Sequence, residues 1–211
     1  MTSDLAERRR AVALAGHRGD AATARAHLDD PEPAIRTLAL GATDRCGALT
    51  DDDLRAAQRD PSPLVRRRAA ELTTHRVGVS LLSMLRDDDP RVVETAAWAC
   101  GEREPPEPGA VDALSLVASD ADDAMAREAA VAALGAIGDP AGLPAVLHGC
   151  TDRPNVRRRA VLALAPFDGP EVLAALERAR TDRDWQVRQA AEDLLEIARG
   201  SADGPRNEGW S

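Results

Sequence analysis

The chain has 211 residues, 44% of them hydrophobic, with no Tyr, one Phe and three Trp, so its apolar content is mostly Ala, Leu and Val. Large sandwiches and barrels draw on aromatic and β-branched residues, whereas Ala and Leu are strong helix formers; the composition points to an all-α fold. The 36 Asp and Glu stand against 27 cations, all of them Arg, and the formal net charge of −9 argues against the basic field of a non-specific nucleic-acid binder.

The absence of Lys reads as codon usage in a GC-rich genome. The opening MTSDLAERRR lacks the apolar core of a signal peptide, and no apolar stretch is long enough to span a bilayer, so a soluble, cytoplasmic protein is expected. Cys46, Cys100 and Cys150 are widely spaced, with no Cys-x-x-Cys, and are expected to be reduced thiols without a zinc or redox motif.

Along the chain, residues 3–16 read as an N-terminal capping helix. A short pattern then recurs: Asp, often beside Pro, then an aliphatic anchor, usually Arg, and Ala four residues after the anchor. The copies are DDPEPAIRTLAL (29–40), RDPSPLVRRRAA (59–70), DDDPRVVETAAW (87–98), DDAMAREAAVAAL (122–134), DRPNVRRRAVLAL (152–164) and DRDWQVRQAAEDLL (182–195). Their anchors, Ile35, Val65, Val92, Ala126, Val156 and Val187, are spaced by 30, 27, 34, 30 and 31 residues. Asp can cap the free N–H groups that open a helix, and Pro is tolerated in its first turn. The anchor and the Ala four residues on share one helical face. Upstream of most copies lies a short amphipathic run: DLRAAQ (53–58), VSLLSML (79–85), VDALSLVA (111–118), LPAVL (143–147) and EVLAALERA (171–179). Each unit therefore reads as two helices joined by an Asp/Pro turn. One such hairpin cannot bury both its apolar faces, and stacking successive hairpins does.

The pattern resembles the HEAT repeat, in particular the bacterial form also named for phycobilisome-lyase proteins, with AREAAVAALGAIGDPAGLPAVL as the closest stretch. The resemblance covers roughly residues 20–199. It implies a right-handed α-solenoid of about six antiparallel helical hairpins plus the N-terminal helix. Copy one is a weaker match, and copy three has Val93 where the others have Arg. The connector REPPEPG (103–109) is where a bend or boundary is expected, and 200–211 reads as a disordered polar tail.

In HEAT proteins, Asp and Arg at these places form a ladder between neighbouring repeats. The resemblance assigns Asp30, Arg36, Asp60, Arg66, Arg127, Arg157, Asp182 and Arg188 to that architectural role. Second helices line the concave surface in the family. The resemblance therefore places there the positions two and six after each anchor, with the arginines beside them. Those positions include Arg67, Arg68, Glu71, Glu94, Trp98, Glu128, Arg158, Arg159 and Leu162, the candidate partner-binding residues. Each also has a bland reading as solvated surface, and Trp98 an alternative as core. An exposed Trp next to Arg would be a binding hot spot.

Catalysis has little to work with. His17, His27, His75 and His148 have no regular place relative to the anchors. None precedes a Glu, so the di-iron chemistry of the similar deoxyhypusine hydroxylases is not carried over. There is no Gly-rich phosphate loop, and Gly-Asp-Pro at 138–140 reads as a turn between helices. No catalytic residue, metal or cofactor is expected. The expected function is a non-catalytic scaffold for an unknown protein partner, with no membrane or nucleic-acid role and a monomer compatible with the pattern. The alternatives are a phycobilisome-lyase-like enzyme or enzyme subunit and a HEAT-like DNA glycosylase. Arg67, Arg68, Arg158 and Arg159 could serve the glycosylase reading, but Glu94 and Glu128 lie between them.

Overall fold

Pro63 opens one helix and Pro90 another, and the same local chemistry starts most of the long helices in this protein. A computed structural model describes residues 2–202, and the side chains of 4–199. Among the described residues every regular element is helical: twelve α-helices and two short 3-10 turns. The chain divides into two compact units between Glu107 and Pro108, inside the connector REPPEPG.

Unit 1 begins with α1 (Thr2–Arg18), followed by α2 (Ala21–Arg25), α3 (Pro33–Arg45), α4 (Asp51–Ala57), α5 (Pro63–Thr73) and α6 (Pro90–Gly101). The helices α3, α5 and α6 carry the first three anchors and pack side by side, while α1 packs against α3 and α2. Ile35, Val65 and Val92 are buried, as are Ala39, Ala69 and Ala96 one turn later. They meet apolar residues of the shorter helices, such as Ala24 from α2 and Leu54 and Ala57 from α4. α4 starts with a reciprocal cap, Thr50 accepting from the Asp53 N–H and Asp53 from the Thr50 N–H.

One expected helix is absent. The run VSLLSML (79–85) forms turns ending in a 3-10 turn at Met84–Arg86. Side chains from the connector bond this run and the turn that precedes it. The Arg103 guanidinium donates to the carbonyls of Thr73, Arg76 and Val79, while Glu107 accepts from the Leu81 N–H and the Ser80 hydroxyl. Arg103 and Glu107 also pair with each other at 2.8 Å. Val79, Leu81, Met84 and Leu85 are nevertheless buried, so the apolar spacing serves the core without the helix.

Unit 2 contains α7 (Ala110–Asp120), α8 (Ala124–Ile137), a 3-10 turn (Pro140–Gly142), α9 (Leu143–Gly149), α10 (Pro154–Ala163), α11 (Pro170–Ala179) and α12 (Trp185–Ala202). The helices α8, α10 and α12 carry the last three anchors and pack in sequence, with α7, α9 and α11 behind them. α8 and α10 approach closely at Gly135, where a Cβ would lie 2.6 Å from the Ala163 Cβ and 2.7 Å from its Cα. Gly138 ends α8 at φ +67°, a conformation that suits glycine, and Asp139 then caps the turn through the Ala141 N–H. The expected tail overlaps the described residues only at 200–202, the end of α12; residues 203–211, with Trp210, lie outside them.

Candidate functional site

The arginine that follows five of the six anchors is tied into the frame. Arg36 grips Asp60 through two bonds of 2.7 and 2.6 Å, and Arg66 grips Asp87 in the same way. In unit 2, Arg127 holds Asp152 and Arg157 holds Asp182. Each also donates to a carbonyl at the start of its own copy, as Arg127 does to Ala121 and Asp122. Arg188 keeps only this carbonyl contact, to Asp182.

Asp30, Asp60 and Asp182 each stand six residues before the Arg that follows an anchor, but Asp87 and Asp152, which are also rungs, do not. Val93 occupies that place after Asp87, and Asp152 stands five before Arg157. Their offset of four or five residues before the anchor is the signal that locates them. The carboxylate of Asp30 is bonded to Arg8 at 2.6 Å, so α1 supplies the arginine for the first copy.

Partial burial alone would raise the Asp60 and Asp87 carboxyls, but the arginine and backbone N–H bonds outweigh it and hold both below the usual carboxylate value. For Asp152 and Asp182 the arginine hydrogen bond is the leading cause of the same depression.

The non-repeating positions on the same helices behave differently. In unit 1, Trp98 on α6 is 48% exposed, which places it at the surface. Arg67 on α5 is exposed and only 3.7 Å from Glu71. Its neighbour Arg68 is half-buried, bonds Glu71 at 2.7 Å and covers Gly41, where a Cβ would lie 2.8 Å from its guanidinium. Glu71 therefore faces two arginines. Glu94 is half-buried on α6.

In unit 2 the structure brings four of the candidates together. Glu128 from α8 and Arg158, Arg159 and Leu162 from α10 line a depression of about 200 Å³ with Asn155. Leu162 is 50% exposed and forms its apolar part. Asn155 donates to Glu128 at 2.8 Å, and Arg158 donates to Gln186 at 2.6 Å while approaching Asp184 at 3.3 Å. Asn155 was not singled out by the sequence, because its place before the anchor gives no chemical signal.

A larger apolar cleft of about 780 Å³ lies between α11 and α12, lined by residues such as Phe167, Leu173, Leu176 and Leu195. Polar groups do not converge in it: Glu177 and Arg199 face each other at 3.6 Å.

Among the described residues no group of three or more His, Cys, Asp and Glu is placed to hold a metal ion, and no helix is long and apolar enough to cross a membrane. Burial pushes the Cys100 thiol up to about 12 and the Cys150 thiol up to about 11. Both are therefore poor nucleophiles.

The model of the family described as HEAT repeats matches residues 52–134, 78–154 and 111–196. The chain is a HEAT-repeat protein. Its solved structural neighbours are repeat solenoids. It is similar to a designed armadillo repeat protein in complex with the peptide (KR)4, with a TM-score of 0.62 and 19% identity over 81% of this chain and 95% of that one. A computationally designed armadillo repeat protein for modular peptide recognition aligns with a TM-score of 0.59 and 19% identity, over 81% of this chain and 96% of that one. An engineered protein of unstated function aligns with a TM-score of 0.60 and 16% identity, over 86% and 97%. At these identities the likeness concerns the fold. Among curated proteins none matches the sequence.

Proposed function

We propose that this HEAT-repeat protein is a non-catalytic scaffold that holds a protein partner through exposed residues on the second helices of its units. The observation that carries this reading is a division of labour within single helices. On α10, Arg157 is 9% exposed and bonded to Asp182, while Arg158, Arg159 and Leu162 open onto a depression. On α6, Val92 and Ala96 are buried while Trp98 is half-exposed. Exposed Trp, Leu and Arg side chains held on rigid helices make good anchors for a protein interface. The designed armadillo neighbour bound to (KR)4 is an example of a helical repeat protein that takes a peptide.

The test is affinity capture with the wild-type chain and with Trp98→Ala and Arg67→Glu variants of unchanged helical content. The reading expects a specific partner that the wild type retains and at least one variant loses. Retention of every partner by both variants would remove the second helices of unit 1 from consideration.

A further inference from the structure

The cleft between α11 and α12 is mostly apolar, and part of its wall is the last full turn of α12. We propose that it is the docking site of the segment that follows α12, residues 203–211, with Trp210 as the side chain that enters it. None of the candidate partner-binding residues lines this cleft, so it is a surface separate from theirs.

The walls are Val172, Leu173 and Leu176 of α11, Leu194 and Leu195 of α12, and Phe167 from the loop before α11. Most of these are core residues, but Leu173 is 47% exposed, so apolar surface meets water here. Ala198 and Arg199 also line the cleft, and α12 ends just beyond them at Ala202. The chain that follows therefore starts beside the cleft. From Ala202 back to Leu194 is about 12 Å along the helix. The stretch from Ala202 on to Trp210 spans up to about 26 Å when extended, which leaves length for a reversal. Gly204 and Pro205, at its start, are residues that suit one.

Trp210 is the one large apolar side chain between residues 200 and 211. An indole is a flat apolar body with a single N–H donor and no acceptor. The cleft matches both parts. Its lining is mostly apolar, and it includes Asp168, whose carboxylate has no hydrogen-bond partner among the described residues. Glu177, the other acid there, is already bonded to Arg180 at 2.9 Å. Attachment favours this occupant over a separate one. A short linker holds its end at an effective concentration of about 1 mM, so a contact with an untethered Kd of about 0.1 mM is roughly nine-tenths closed. A second copy or a separate partner of the same intrinsic affinity would have to reach about 1 mM to compete.

The experiment is steady-state fluorescence of the full chain in a Trp98→Phe, Trp185→Phe background, where Trp210 is the only Trp left and no Tyr is present. Docking predicts emission at shorter wavelength than in urea, weaker quenching by acrylamide than for N-acetyltryptophanamide, and no dependence of either on protein concentration. Leu173→Asp puts a charge in the apolar wall and should weaken docking at least about tenfold, moving the emission at least halfway to its value in urea. Leu116→Asp, at an exposed leucine of α7, should leave the emission unchanged. Circular dichroism checks that both variants keep their helical content; where Leu173→Asp does not, Leu173→Ser serves the same comparison. Native emission and quenching equal to those of N-acetyltryptophanamide would overturn the assignment and leave the cleft to another occupant. A blue shift lost on dilution would overturn it in favour of a second copy. A blue shift that survives substitution of Leu173, or that Leu116→Asp removes equally, would overturn it as well, because Trp210 would then be buried elsewhere.

Discussion

Replacing Arg127 by Gln removes one rung of the ladder and leaves the helix otherwise intact. The guanidinium bonds Asp152 at 2.6 and 2.9 Å and the carbonyls of Ala121 and Asp122 at 2.7 and 3.0 Å. Both side chains are mostly shielded, at 12% and 13% exposure. Gln keeps the stem of the side chain but leaves the Asp152 carboxylate with one backbone donor, the Arg153 N–H. A hydrogen bond to a charged group contributes about 1.5–3 kcal/mol net. Desolvation of the ions offsets part of the pair's attraction, so the expected loss is about 2–3 kcal/mol, near the lower end for breaking a buried pair. The assay is urea unfolding followed by Trp185 fluorescence in a Trp98→Phe, Trp210→Phe background, which reports on unit 2. The control is Arg180→Gln, whose partner Glu177 is 2.9 Å away in a solvent-exposed pair and whose removal should leave the midpoint unchanged. If Arg127→Gln behaves like the control, the ladder is not what holds adjacent repeats together.

Gly135→Ala should destabilise unit 2 by about 1–3 kcal/mol, because the new methyl meets the backbone of Ala163 and α8 must move from α10; calorimetry of the variant measures it. Asp60, Asp87, Asp152 and Asp182 have carboxyls held below their ordinary value, so their stabilisation is present above about pH 4 and is lost as pH falls through the lower folded values. Urea midpoints should therefore drop steeply below pH 4, and Asp152→Asn should flatten that drop. Native protein at pH 8 should react slowly with a thiol reagent at Cys100 and Cys150, whose thiols burial pushes up to about 12 and about 11, and mass spectrometry would show full labelling of both only after urea is added.

The repeat was legible because burial enforces it: every anchor is at most 2% exposed, and the period of those anchors survives even where surrounding residues change. The missing helix at 79–85 was not legible: the run is held by Arg103 and Glu107, some twenty residues downstream. Nor was the role of Arg8, which sits in α1 outside the repeated pattern and yet occupies Asp30. Exposure at the sixth position after the anchor also varies with local company. Gly41 is covered by Arg68, whereas Trp98 and Leu162 at equivalent positions stand open. Sequence spacing marks which helix face a residue occupies, and the neighbouring side chains decide whether solvent reaches it.

The most direct test of the division between frame and binding face is site-specific photo-crosslinking in the native organism. A photoreactive residue is placed at Trp98, at Leu162, or at Leu116 on α7, a first helix, where the native Leu is 54% exposed. The account expects a protein partner to be trapped from position 98 in unit 1 and from position 162 in unit 2, and not from 116. Trapping of that protein from 116 alone would contradict it and move the binding surface to the first helices.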